Sequence, residues 1–133
     1  MRPLLAVAFA TIALTLSIAA PSVAGGWAAS RLDALPERFV AGETYALGYT
    51  ILQHGTHPVA VDRTAVVFTP LGGGPALSFP GRAEGAAGHY VAAISVPSAG
   101  EWAWAIDQGL FGPYALGTRT VHALGAAPEV RAA

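Results

Sequence analysis

The chain contains no cysteine and no lysine, and its single methionine is Met1. Without cysteine there is no disulfide framework, no thiolate metal site and no cysteine nucleophile. A blue-copper centre, which uses a cysteine and a methionine, is excluded as well. Without lysine there is no Walker phosphate-binding loop. The fold must therefore be held together by packing.

Charge of either sign is also scarce. Seven arginines stand against eight acidic residues, which gives a formal net charge of -1 at pH 7. Proteins that bind nucleic acid need a clustered basic surface, and the arginines are dispersed along this sequence. We therefore expect no nucleic-acid partner.

The first 24 residues have the organisation of a secretory signal peptide. Arg2 is followed by an apolar run over residues 4–20, then Pro21 breaks the helix, and a small-residue triplet ends at Ala24. This order predicts cleavage after Ala24 and export to the periplasm or the extracellular space. Because the apolar run approaches the length that crosses a bilayer, a retained membrane anchor is the alternative. After cleavage, we expect no membrane span.

Beyond residue 24 the hydrophobic pattern is that of β-strands. Apolar side chains alternate from Glu43 to Gln53, and the same period of two recurs over 90–96 and 101–107. Turn-forming glycines separate these segments and shorter candidate strands at 27–32, 59–61, 65–69, 76–79 and 117–124. The pattern predicts an all-β fold: an immunoglobulin-like antiparallel β-sandwich of about seven or eight strands over residues 25–124. Residues 125–133 are expected to be a flexible C-terminal tail.

Aromatic side chains are expected to provide much of the buried surface of a sandwich without a disulfide. The candidates are Trp27, Tyr45, Tyr49, Phe68, Tyr90, Trp102 and Trp104. Trp102 and Trp104 alternate with smaller residues along one strand, which favours a place in the core. The alternative is an exposed aromatic platform that binds carbohydrate or peptide.

Three histidines are the candidate metal ligands. His54 and His57 lie in one loop directly after a strong strand, and His89 opens another strand. Imidazole nitrogens suit copper and zinc, so a site would form if the fold brought the three together. The alternative is that they are simple polar turn residues. His122 is expected to face solvent.

The sequence lacks the arrangements typical of hydrolases. None of its serines lies in a Gly-x-Ser-x-Gly elbow, and its acidic residues are dispersed near predicted turns and strand edges. On this basis we predict that the protein is not an enzyme.

Several short motifs together resemble the FixH and YtkA-like group of extracytoplasmic domains. They are Gly26-Trp27, Ala41-Gly42-Glu43, Gln53-His54-Gly55 with Pro58, Gly88-His89-Tyr90, and Pro97-x-Ala99-Gly100-Glu101-Trp102. The resemblance implies a small immunoglobulin-like sandwich outside the cytoplasmic membrane, distantly similar to CopC. It also implies an association with copper handling or with the assembly of respiratory oxidases and cation pumps. Of the histidines, it points to His54 and His89.

The chain departs from that group in two ways. It lacks the Met-Pro-x-Met segment of many YtkA-like chains, and its predicted mature start, Gly25, is not the histidine that CopC-like domains use as a ligand. The leading hypothesis is an exported, non-catalytic β-sandwich that acts as an accessory or binding module beside or within a membrane-associated metal or redox system, with a protein partner at the membrane or cell envelope. Direct copper(II) binding through His54, His57 and His89 is one alternative, and carbohydrate or peptide binding through the tryptophan strand is another.

Overall fold

The computed structural model describes residues 26–125, and within them the chain is an all-β sandwich, as predicted. The predicted signal peptide and most of the predicted tail lie outside the described residues. The strands are β1 Ala28–Leu32, β2 Phe39–Val40, β3 Thr44–Gln53, β4 His57–Pro58, β5 Ala65–Pro70, β6 Leu77–Ala83, β7 His89–Ser95, β8 Gly100–Asp107 and β9 Pro113–His122. One 3₁₀ turn, Gly109–Phe111, joins β8 to β9. No helix within residues 26–125 has the length and apolarity needed to cross a bilayer.

The strands form two layers that share β6. One layer runs β1-β3-β7-β6 with β4 beside β3, and the other runs β6-β5-β8-β9-β2. The first half of β6 pairs with β5 up to Pro80, and its second half pairs with β7 from Gly81. All pairs are antiparallel except β2 with β9, which is parallel, so the sheet is mixed. The sequence does not predict the two-residue strand β2, because it is too short to show a period of two.

The core lies between the two layers and is rich in aromatic rings. The alternation predicted for β3 is confirmed, since Leu47, Tyr49 and Ile51 are fully buried. Phe39 of β2 is also buried, and its ring makes edge-to-face contacts with the rings of Tyr45, Phe68 and Trp104 at centroid distances of 5.1, 5.9 and 5.8 Å. Such ring pairs stabilise a core beyond the area that they bury.

The tryptophans divide into two groups. Trp102 and Trp104 are each only 5% exposed, so the core interpretation is confirmed and these two rings form no exposed platform. The expectation that Trp27 is buried is wrong, because its side chain is 57% exposed. The reason is positional: β1 begins one residue later, at Ala28, so Trp27 lies beyond the end of the sheet.

The predicted strand over 59–61 is replaced by a loop. Only His57–Pro58 pairs with β3, and the chain then leaves the sheet. The side chain of Tyr90 forms hydrogen bonds with both backbone groups of Val61. The N–H of Val61 donates to Tyr90 Oη at 2.8 Å, and Tyr90 Oη donates to the Val61 carbonyl at 3.0 Å. A buried tyrosine hydroxyl thus satisfies groups that a neighbouring strand would otherwise bind.

Candidate functional site

Four connecting segments meet at one end of the sandwich, where β1 begins, β3 and β8 end, and β9 begins. They are the residues before β1, the turn at 54–56, the loop at 59–64 and the loop at 108–112. We call this region the loop end. Loops held by a rigid sandwich are common sites of binding, so the loop end is the first candidate for a functional surface.

A buried glutamine ties the loop end together. Gln108 is 1% exposed, and its Oε1 accepts a hydrogen bond from Ser30 Oγ at 2.8 Å. Its Nε2 donates to the carbonyls of Ala28 at 3.0 Å and Gly112 at 3.5 Å. One amide therefore links the first strand to the loop between β8 and β9. This link fixes the position of that loop.

The loop at 108–112 also packs closely on the loop at 59–64. Gly109 has a φ of +63°, and a Cβ at this position would lie 2.7 Å from the carbonyl oxygen of Arg63. Both facts favour glycine here. The N–H of Gly109 donates to Asp107 Oδ1 at 3.0 Å. Beside this contact lies a surface depression of about 430 Å³, lined by Asp62, Arg63, Gly109 and Leu110.

The turn after β3 carries the first predicted ligand, His54. His54 and Gly55 both have positive φ, +54° and +74°, and the N–H of Thr56 donates to the Gln53 carbonyl at 3.1 Å. Positive φ at both central residues is the pattern of a type I′ hairpin turn. The Trp27 ring lies on this turn, with its centroid 6.0 Å from that of the His54 ring. A Cβ on Gly55 would lie 3.2 Å from the same indole.

The loop end presents large apolar side chains to solvent. Trp27 and Tyr114 are exposed there, and Leu110 is 68% exposed. The sequence pattern predicts Trp27 inside and does not single out Leu110. A signal for Leu110 is nevertheless present, because it stands between Gly109 and Gly112, and an apolar residue in a glycine-flanked turn has no sheet to face.

His89 lies elsewhere, on the outer surface of the layer that contains β1, β3 and β7. Its Nε2 is 2.8 Å from Asp33 Oδ2, and its Nδ1 is 2.7 Å from the carbonyl oxygen of Glu84. The hydrogen bond to Asp33, followed by that to the Glu84 carbonyl, raises the pKa of His89 above its usual value. Both ring nitrogens are therefore occupied by protein acceptors.

The register of β3 explains why the three predicted ligands are not brought together. His89 pairs with Thr50 and His57 pairs with Gln53. Paired residues share a face of the sheet, and residues three apart on a strand point to opposite faces. His57 and His89 therefore lie on opposite faces. His54 instead contacts Trp27. Residues 26–125 contain no group of three or more His, Cys, Asp or Glu side chains that could hold a metal ion.

Comparisons with known proteins give structural neighbours only. No family model and no curated protein matches the chain. Two solved structures similar to it are variants of superoxide reductase (neelaredoxin) from Ignicoccus hospitalis, each 12% identical in sequence. Their TM-scores are 0.44 and 0.45, and the matches cover 77% and 76% of this chain and 86% and 84% of those chains.

Both neighbours are enzymes by name, which runs against the prediction that the protein is not an enzyme, and that prediction is withdrawn. That prediction rests on missing hydrolase motifs, and the absence of a motif does not exclude an activity. A likeness at 12% identity and a TM-score below 0.5 carries no activity over to this chain. The resemblance to the FixH and YtkA-like group stays a prediction.

Proposed function

We propose that this chain is an exported binding module whose loop end docks onto a protein partner of the cell envelope. The observation that carries the proposal is the pair of exposed apolar side chains, Trp27 and Leu110, on loops that Gln108 holds in place. Loops fixed before binding lose little conformational freedom in the complex, which favours affinity.

The residue types at the loop end are those typical of an interface with another protein. Tryptophan and tyrosine are enriched where proteins bind each other, and polar residues typically surround the apolar centre of such an interface. Here Asp62 and Arg63 line the depression beside Leu110. The loop end thus combines apolar anchors with charged neighbours of both signs.

Site-specific photocrosslinking in intact cells tests the proposal. A photoreactive amino acid at Leu110 is expected to give a discrete adduct, and Trp27→Ala is expected to reduce its yield. Leu71 is the matched control, because it is an exposed leucine, at 58%, just after the end of β5 at the opposite end of the sandwich. Adducts of equal yield from both positions, or no adduct from Leu110, would contradict the proposal.

Export is tested separately by the mass of the protein recovered from the cell envelope. The proposal expects a chain that begins at Gly25, because Ala24 is the predicted cleavage residue. A chain that keeps residues 1–24 in the cytosolic fraction would contradict export. A full-length chain in the membrane fraction would instead support the anchored alternative.

Copper(II) binding by His54 and His57 is a second proposal. The observation in its favour is that His54 lies within one turn and His57 directly follows it. Two backbone hydrogen bonds, from Gly55 N–H to the Leu52 carbonyl and from Thr56 N–H to the Gln53 carbonyl, hold that turn in shape. Imidazole nitrogens suit copper. Copper(II) is expected to raise the thermal midpoint of the wild type, because a ligand bound only by the native state stabilises it. An equal rise in a His54→Asn, His57→Asn double variant would contradict this proposal.

A further inference from the structure

A second surface depression lies at the edge of the layer that contains β8, β9 and β2. It is close to the end of β9 that lies away from the loop end. A depression of about 290 Å³ lies between β9 and the segment that leads into β2. Its lining is mostly polar and consists of Glu37, Arg38, Thr118, Arg119, Thr120 and His122. We propose that this depression binds a small oxyanion, a phosphate or a carboxylate group, through Arg119 and Arg38.

Arg119 is held in place by contacts that leave most of its hydrogen-bond donors unused. Its guanidinium carbon lies 5.3 Å from the centre of the Phe39 ring and 5.8 Å from that of the Trp104 ring. A cation over two ring faces is attracted by both. Its Nη2 donates to the Pro36 carbonyl at 3.5 Å. A guanidinium carries five N–H donors in a planar fork, so several remain for an oxyanion.

Other polar residues also line the depression. Thr118, Thr120 and His122 lie at alternate positions of β9 and share its outer face, whereas Arg119 projects to the other face, over the rings of Phe39 and Trp104. The hydroxyl of Thr120 donates to Glu101 Oε1, so a second carboxylate lies close to this part of β9. Arg38 brings a second guanidinium to the same lining. Two guanidinium groups can bind an oxyanion by charge-assisted hydrogen bonds.

Glu37 limits what the depression can bind. Its carboxylate also lines the depression, so the local charge of the two arginines is partly offset. A polyanion such as nucleic acid would meet this carboxylate and lack the wider basic surface that it needs. A single anionic group needs no wider basic surface, which is why we infer a small oxyanion and not a polyanion.

Titration by NMR at constant ionic strength tests this site on the chain that begins at Gly25, the predicted mature start. Inorganic phosphate and acetate are added in separate arms, and the backbone amides of 118–122 and the Arg119 Nε–H signal are followed. We expect saturable shifts confined to these signals, with the stronger arm identifying phosphate or carboxylate as the preferred group. Arg38→Gln is expected to weaken binding about tenfold, the effect of losing one charge-assisted hydrogen bond.

Two further variants test whether Arg119 makes a bidentate contact and whether the effect is specific to this depression. Arg119→Lys keeps the charge but loses the fork, so weaker binding with an unchanged thermal midpoint would support a bidentate contact. Arg82→Gln is the matched control, because Arg82 forms an exposed pair with Glu84 on the other layer, at 3.4 Å. Linear shifts that do not saturate, or equal binding by the wild type and Arg38→Gln, would mean ionic screening only and overturn the proposal. Crosslinking at Leu110 is unaffected by these variants, so the two proposals fail independently.

Discussion

The imidazole of His89 joins two segments that are 56 residues apart in sequence, because its Nε2 lies 2.8 Å from Asp33 Oδ2. Gly48 makes room for this contact, since a Cβ there would lie 3.2 Å from the same nitrogen. The other ring nitrogen faces the Glu84 carbonyl at 2.7 Å. Only the protonated ring can donate to both acceptors at once. The pair therefore connects the end of β1 to the start of β7 in a manner that depends on protonation.

This pair predicts a pH-dependent contribution to stability. The pKa of His89 is raised in the folded protein, chiefly by Asp33. A group with a raised folded pKa contributes its full stability below its unfolded pKa, about 6.5 for histidine, and loses it as the pH rises through the folded value. Asp33→Asn is therefore expected to lower the thermal midpoint below about pH 6.5, by about 2 to 4 °C for so exposed a pair. The difference from wild type should shrink as the solution becomes alkaline.

Thermal unfolding of both proteins across a pH series measures this effect. Gly48→Ala serves as a second variant, because its methyl group would displace Asp33 without removing the carboxylate. It should show the same pH dependence as Asp33→Asn. A difference from wild type that stays constant from acid to alkaline pH would contradict a role for the protonated ring.

The sequence predicts what depends on neighbouring residues and misses what depends on register. The alternation that buries Leu47, Tyr49 and Ile51 is a local property, so a period of two in the sequence is enough to reveal it. The contact between His89 and Asp33 requires β3 to pair with both β1 and β7 at one register, which no local pattern specifies. The same register places His57 and His89 on opposite faces.

Composition also misplaces residues that lie just outside the regular strands. The aromatic character of Trp27 predicts a place in the core, but its position before β1 leaves it in solvent. Conversely, Phe39 is buried through a strand of two residues that has no periodic signal. Burial near a strand end is decided by the path of the chain, not by the hydrophobicity of the side chain.

The buried hydroxyl groups of Tyr49 and Thr64 lead us to predict that substituting each one has a different cost in unfolding free energy. Thr64 Oγ1 donates to the Asp107 carbonyl at 2.6 Å, so the hydroxyl of Tyr49 must donate to Thr64 Oγ1, at 2.9 Å. Tyr49→Phe removes one hydrogen bond and is expected to cost about 1 kcal/mol of unfolding free energy. Thr64→Val leaves both the Tyr49 hydroxyl and the Asp107 carbonyl without this partner, so a cost of about 2 to 3 kcal/mol is expected.

Urea unfolding of both variants measures the difference. Burial raises the pKa of the Tyr49 hydroxyl, so it remains a donor across the ordinary pH range, and the comparison holds at neutral pH. A larger cost for Tyr49→Phe than for Thr64→Val would contradict this account of the pair.

We predict that loss of the Gln108 side-chain amide lowers the stability of the protein and loosens the loop at 108–112. Gln108→Leu keeps the size of the side chain but removes the partners of Ser30 Oγ and the Ala28 carbonyl, which both belong to buried residues. We expect a loss of about 2 to 4 kcal/mol of unfolding free energy, because buried polar groups without partners are costly. Hydrogen exchange should accelerate most at 108–112. Protection that falls equally across the whole domain would show that Gln108 does not act on this loop.

We predict that the fluorescence of Trp27 at the loop end can be distinguished from that of the two core tryptophans. Trp102 and Trp104 are almost completely buried, whereas Trp27 is 57% exposed, so acrylamide should quench only part of the wild-type emission. In Trp27→Phe the remaining emission should shift to shorter wavelength and resist quenching, since only core indoles remain. The thermal midpoint should change little, because an exposed ring before β1 contributes little buried area. Strong quenching of the Trp27→Phe protein in its folded state would show that the two core indoles are open to solvent, which would contradict the packing of β8 against Phe39 and Phe68.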